Sequence, residues 1–420
     1  SVCDLSTWLQ ECDDPVLAAD PPYVPWLARL VATRNVYVMP MTNALGYFED
    51  RRCEAGRDPN RDFPYQQKPS KCMTTITARA VNEVWREHIF QLAVTFHGGM
   101  VAIAYEWGAN NHPHRKNNNG DWLDISPDNS AQVAVGSGLS AYAGAFSVSG
   151  TEFAPYPADR MNDIVYPVDG GMEDWAYAAS WDGPQNGCKP ETFGGYASFK
   201  TQYDPAMLRT LNILVETSDN KSPALDTLGS TVDIFNPASP GNGHVQRNMR
   251  LSLMVIDIVQ PYVEWTDASL DTTDAILHWR VSGCMWVDST FLRWGPVAFD
   301  GTGLLARTAA AAEAAAEAGG GAAGPKAGAT AAQSGTCRWG ENMARQKTMG
   351  NKFLATLPVE TMADGAYYVA AAAVVDKTWA MSVQPVWPDG KPQSHFVNAR
   401  TNPEWDMSNG NHRVVGQRLW

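Results

Sequence analysis

The chain has 420 residues, 44% hydrophobic and 18% charged, with 16 Trp, 14 Tyr and 13 Phe, which excludes a disordered or collagen-like polypeptide and leaves room for two or three domains. Its 45 acidic side chains outnumber 32 basic ones, for a formal net charge of −13, so a nucleic-acid partner is disfavoured and cations are favoured at the surface. No apolar run in the sequence is long enough to cross a bilayer.

In chain order, two β-type runs, "NVYVMPM" (35–41) and "FQLAVTFHGG" (90–99), bracket the stretch 74–90, where Ile76, Ala80, Val84 and His88 recur at helical spacing with Val81 and Trp85 alongside. Strand, crossover helix, strand predicts an α/β domain with a mixed, mostly parallel sheet flanked by helices. A helix is expected at 171–181, a strand at 211–218 ("LNILVETS"), and a last amphipathic helix at 244–258, with Leu251, Met254, Val255 and Ile258 on one face and Pro261 as its stop. The first domain is therefore drawn as 1–262. From 263 to 420 the texture changes to short runs such as "DAILHWRVSG" and "NKFLATLPVE" separated by turn residues, the pattern of an all-β sandwich. Inside it, an Ala/Gly-rich insert at about 306–335 has little with which to anchor a core.

Seven cysteines (Cys3, Cys12, Cys53, Cys72, Cys188, Cys284, Cys337) are spread without a CxxC pair. A secreted or cell-surface, partly disulfide-bonded protein is the preferred reading over buried cytosolic thiols, and the odd count leaves at least one thiol unpaired within the chain. The first residue is Ser1 rather than Met, which suggests a processed, truncated or incompletely known N-terminus.

Chemistry concentrates in a few short stretches. "DPNRDFPY" (58–65) carries Asn60 and Arg61 on a turn, a pair that can hold a carboxylate or simply serve a structural ion pair. His97 ends an apolar run before two glycines, as a metal ligand at a strand end or as a core histidine. Arg51, Arg52 and Arg57 lie upstream, and Tyr166 and Glu216 lie downstream. His112 and His114 form a His-x-His in an Asn-rich stretch, which reads as a solvated loop rather than a metal site.

The ordered set "TNALG" (42–46), Arg51, "DPNRDFP", "FHGG" (96–99), "GGMEDWAY" (170–177) and "VETSDNKSP" (215–223) resembles the zinc metallocarboxypeptidases, the M14 or funnelin peptidases, and most closely their carboxypeptidase N, E and D subfamily. The resemblance covers roughly residues 20–260. It implies an exopeptidase that releases single C-terminal residues from peptides or proteins with one bound zinc (Zn2+). His97 would be a zinc ligand, Glu216 the general base and Arg51 the group that polarises the scissile carbonyl. Asn60 and Arg61 would grip the terminal carboxylate, and Tyr166 would close over the peptide. Glu173 would meet the last side chain of the substrate, which gives a basic preference, with Glu106 as a possible addition; the subfamily's own acidic determinant is matched here by Gly108.

The chain departs from the family in three ways. No His-x-x-Glu, the source of the other two zinc ligands, occurs in it. The expectation is that this motif lies upstream of Ser1, and that the same missing part leaves a sheet edge for another segment or chain to cover. The stretch between Tyr166 and Glu216 is longer than in the subfamily, and a loop at the rim of the site is expected there. Disulfides are expected between Cys53 and Cys72, stiffening the carboxylate clamp, and between Cys284 and Cys337. Asn220 is a formal glycosylation sequon whose following proline argues against use. The competing function is an inactive carboxypeptidase-like binding or structural protein of an extracellular assembly.

Overall fold

The computed structural model describes residues 23–88, 90–113, 118–120, 124–179, 182, 187–190, 195–203, 210–230, 242–259, 262–270, 274–283, 286–296, 328–329, 333–336, 352–358, 368–376 and 411–418. They divide into two compact units, with the first change of unit between Ile256 and Asp257.

In the first unit, α1 (Tyr23–Thr33) and α2 (Ala44–Phe48) precede α3 (Ile76–Glu87), β1 (Leu92–His97) and β2 (Met100–Tyr105). Then come α4 (Asn129–Ala143), the hairpin β3 (Phe146–Val148) and β4 (Thr151–Phe153), β5 (Ala158–Arg160), α5 (Met161–Ile164) and α6 (Met172–Ala178). β6 (Leu211–Ser218), α7 (Leu225–Leu228) and α8 (His244–Asp257) complete it. The sheet order is β1-β6-β2-β5, with β1 and β6 parallel, β6 and β2 antiparallel, and β2 and β5 parallel. This is the mixed, mostly parallel sheet expected. β6 is its centre: seven of its eight residues are buried, as a near-continuous apolar run predicts for a strand covered on both faces.

Local chemistry explains where the helices begin and how they dock. Thr75 caps α3 by accepting from the Ala78 N–H at 3.1 Å, and the Glu54 carboxylate accepts from Ile76 N (2.6 Å) and Thr77 N (2.9 Å). Together they satisfy amides that a helix start leaves without partners, at the end where its dipole favours negative charge. In α8, Leu251 and Met254 are fully buried as their spacing predicts. The guanidinium of Arg250, buried beside them, donates to Ala143 O at the C-terminal end of α4 and to Asn242 Oδ1.

Two expectations are corrected in this unit. The strand expected at 35–41 does not form: residues 34–39 have no ladder pairing, and Val36, Tyr37, Val38 and Met39 are exposed. An apolar run becomes a strand only where a neighbour takes up its N–H and C=O groups, and among the described residues none does. Likewise, β1 pairs with β6 alone among the described residues. The Cys53–Cys72 disulfide is replaced by Cys72–Cys188, with a Cα separation of 5.6 Å, while Cys53 is a free thiol. Lys189 N donates to Pro69 O at 2.7 Å and so lays the two chain segments side by side. That brings Cys188, not Cys53, within the short reach of a disulfide. The closed loop spans 116 residues, and its lost chain entropy stabilises the fold by about 5 kcal/mol in the loop-closure account.

Within the long stretch between Tyr166 and Glu216, the described residues 195–203 are held to α3. Asn82 Nδ2 donates to Lys200 O at 2.9 Å, and Lys200 Nζ pairs with Glu83 at 2.9 Å.

Among the described residues, the strand pairs of the second unit are antiparallel, as its short runs predict. β7 (Tyr262–Leu270), β8 (Asp274–Ser282) and β9 (Trp286–Pro296) are followed by β10 (Gly328–Ala329), β11 (Gln333–Thr336), β12 (Lys352–Pro358), β13 (Tyr368–Asp376) and β14 (Asn411–Arg418). They form one sheet in the order β12-β8-β7 and another in the order β10-β9-β13-β14, with β11 also on β9. β10 and β11 fall within the Ala/Gly-rich insert; the rest of that insert, and the pair Cys284 and Cys337, lie outside the described residues.

Candidate active site

The parallel pairing of β1 with β6 puts His97 and Glu216 in register at the C-terminal end of β1, the end at which open α/β sheets collect ligands. Glu216 is buried, and its Oε2 has no hydrogen-bond partner among the described residues. A carboxylate oxygen left unpaired in this way carries a desolvation cost that structural residues rarely bear.

The facing wall is the short 3₁₀ turn Pro59–Arg61. Asp58 caps it through Asn60 N at 3.0 Å. The segment before α6 closes onto this turn: Phe63 N donates to Gly170 O, and Gly170 N to Tyr65 O. Gly170 has φ +74°, and a Cβ there would stand 2.6 Å from Arg61 O, so only glycine permits the approach. Asn60 is then gripped at both ends of its amide. Its Oδ1 accepts from Met172 N at 2.8 Å, and its Nδ2 lies 3.2 Å from both carboxylate oxygens of Glu173. Glu173 also accepts from Thr95 Oγ1 at 3.0 Å and stands 3.8 Å from His97 Nε2. Arg61 donates to Asn60 O (2.6 Å) and to the Tyr166 hydroxyl (3.2 Å), with its guanidinium over the Tyr166 ring.

These contacts gather six of the seven expected residues, Asn60, Arg61, His97, Tyr166, Glu173 and Glu216, around one cavity of about 360 Å³. Arg51 is the exception. Its side chain is 72% exposed, 3.9 Å from Glu49, whereas Arg52 lines the cavity and pairs with Asp58 at 2.7 Å. The turn explains the exchange: Arg51 N donates to Gly46 O and Asn43 Nδ2 to Arg52 O, which pins the backbone so that the neighbouring side chains diverge. Partial burial opposes the charge of Arg52, but the hydrogen bond and charge of Asp58 outweigh it and raise its pKa. Two further charged residues of the lining, Asp174 and Lys221, were not singled out from the sequence. Asp174 directly follows an acid already given a role, and Lys221 sits in a loop where a lysine is ordinary.

Asp62 sets the stiffness of the Pro59–Arg61 turn. It is fully buried and accepts from the N–H and hydroxyl of both Thr74 and Thr75, at 2.7–3.1 Å, with Arg57 Nε at 3.6 Å. Asp62→Ala leaves these donors unpaired. It is expected to cost about 3–5 kcal/mol, read as a lower urea midpoint with unchanged slope; a loss below about 1 kcal/mol contradicts this role.

Two tempting groups turn out to be structural. His112 stacks on Trp107 (3.8 Å between centroids), meets Asp124 Oδ1 at 3.0 Å and Tyr65 Oη at 2.9 Å, and lies in a protein cluster rather than in solvent. Burial works against its charge, but Asp182 and Asp124 prevail and raise its pKa. His114 lies outside the described residues. Glu106 is wholly buried and accepts from Gln132 Nε2 (2.6 Å) and Asn212 N (3.0 Å); burial drives its pKa well up, and it does not line the cavity.

Residues 24–183 match the zinc carboxypeptidase family. No curated protein matches the chain. The zinc carboxypeptidase match includes Asn60, Arg61, His97, Tyr166 and Glu173 and ends before β6, so Glu216 enters the site through strand pairing alone. Zinc in this family calls for a tetrahedral set with three protein ligands. His97 presents an imidazole to the cavity, yet among the described residues no group of three or more His, Cys, Asp and Glu side chains could hold a metal ion.

Proposed function

We propose that this protein is a zinc-dependent exopeptidase that releases single C-terminal residues from peptides or proteins, with His97 as one zinc ligand and the others outside the described residues. The observation that supports it is the single cavity in which Asn60, Arg61 and Tyr166 face His97 and Glu216. Arg61 holds the terminal carboxylate in charge-assisted hydrogen bonds, with Asn60 beside it, and Tyr166 covers it. Arg52 takes the role expected of Arg51 and stabilises the oxygen that gains charge at the scissile carbonyl. Glu216 accepts the proton of the attacking water and returns it to the leaving amine. Zinc, when bound, supplies Lewis acidity toward the carbonyl and the water.

The carboxypeptidase N, E and D group is the subfamily proposed, on the motif spacing. The Cys72–Cys188 disulfide supports an extracellular or cell-surface location, and the antiparallel pairing of the second unit supports a β-sandwich there.

The second reading is a carboxypeptidase-like binding or structural protein of an assembly. It draws on His97 standing outside any group of three or more His, Cys, Asp and Glu side chains, among the described residues, that could hold a metal ion. Zinc content by mass spectrometry, combined with hydrolysis of peptides ending in a free carboxylate and of their amides, separates the two. The enzyme contains about one zinc and cleaves only the free-carboxylate forms. A metal-free protein that binds those peptides and leaves them intact is the scaffold.

A further inference from the structure

Building on the carboxypeptidase reading, we infer that Lys221 is a specificity-determining residue, and that it takes a carboxylate side chain, aspartate or glutamate, on the residue preceding the substrate's C-terminal one. Of the Lys and Arg side chains that line the cavity, Arg52 is paired with Asp58 at 2.7 Å, and Arg61 is held by Asn60 O and the Tyr166 hydroxyl. Lys221 is exposed, lines the same cavity, and has no ion pair or side-chain hydrogen bond among the described residues.

Contacts along β1 fix where this ammonium stands relative to the clamp. Thr95, two positions before His97, holds Glu173 and through it the Asn60 amide. His97 and Glu216 come next, in register with each other. Past them the chain turns at Gly98 and Gly99, where Gly99 N donates to Ser218 O at 2.8 Å, and the loop after β6 lies over that turn. A Cβ at Gly99, whose φ is +123°, would stand 2.8 Å from Lys221 Cε and 3.8 Å from its Nζ, and one at Gly98 would stand 3.8 Å from Lys221 Cα. The lysine stem therefore runs across a surface that only glycine leaves clear. Asn220 N donates to Ser218 Oγ at 3.2 Å and Ser222 N to Asn220 Oδ1 at 2.9 Å, so the loop is tied down on both sides of Lys221.

The clamp and Lys221 thus meet β1 on opposite sides of the His97–Glu216 pair. A peptide whose terminal carboxylate is clamped presents its scissile carbonyl to that pair. The side chain before that bond then falls about one extended residue, roughly 3.4 Å, further on, beside the Gly98–Gly99 turn. A carboxylate at this place meets a cation that it does not have to take from another partner, whereas an amide of the same shape gains no charge pairing.

The test is calorimetric titration of the full chain, with Glu216→Gln as background so that peptides stay intact. The probes are N-acetyl-Ala-Asp-Lys, N-acetyl-Ala-Asn-Lys, the isomer N-acetyl-Asp-Ala-Lys, and the C-terminal amide of the first. The first peptide is expected to bind about fivefold more tightly than its Asn counterpart and about threefold more tightly than its isomer, by an amount that shrinks as salt is raised. Lys221→Gln, at an exposed position, should bring the three free acids within about twofold of one another while leaving the affinity of the Asn peptide unchanged, and Lys221→Arg should keep the preference. Equal binding of the Asp and Asn peptides, a preference that survives Lys221→Gln, or an equal gain for the isomer overturns the assignment to Lys221 while leaving the clamp intact. Failure of the free acids to bind better than the amide overturns the carboxypeptidase reading, and with it the placement on which this assignment rests.

Discussion

Glu216→Gln is expected to lower kcat about 10²–10⁴-fold in the zinc-loaded protein while peptide affinity stays within about twofold. Glutamine has the shape of glutamate and cannot accept the proton of the attacking water. The substitution removes little else, because Oε2 has no hydrogen-bond partner among the described residues and the β1–β6 ladder that sets the position is made by backbone. Rates and binding are read separately, turnover by peptide hydrolysis and affinity by calorimetry. A variant that retains more than about a tenth of kcat shows that another group handles the proton.

Arg61→Ala should weaken binding of free-carboxylate peptides on the order of 10²-fold, the worth of a strong charge-assisted contact, and leave the poor binding of the amides unchanged. The guanidinium is already held in place by Asn60 O and the Tyr166 hydroxyl, so a substrate meets a preoriented fork and little ordering is left to do. Arg61→Lys should recover only part of the loss, since an ammonium cannot match a carboxylate with two parallel N–H groups. Equal effects on acid and amide would show that Arg61 shapes the cavity without reading the chain end.

Some of this site was legible in the residues themselves. The order of the short motifs carries Asn60, Arg61, His97 and Tyr166, and the apolar periods place α3, β1, β6 and α8 within three residues of where they form. Helix and strand patterns are local, so periodicity reads them directly. The run 35–41 has the same pattern and makes no strand, because a ladder depends on a neighbour that no local signal reports.

By itself the sequence determined the chemical inventory, the α/β character of the first unit and the antiparallel character of the second, since these rest on residue type and short-range period. Tertiary structure alone decided which of two adjacent arginines faces the cavity, which cysteine closes on Cys72, and which acid grips the Asn60 amide. Those outcomes depend on contacts between residues such as Asn60 and Glu173, separated by 113 positions. Whether a polar group is spent or free depends on which partners the folded chain brings within about 3 Å of it.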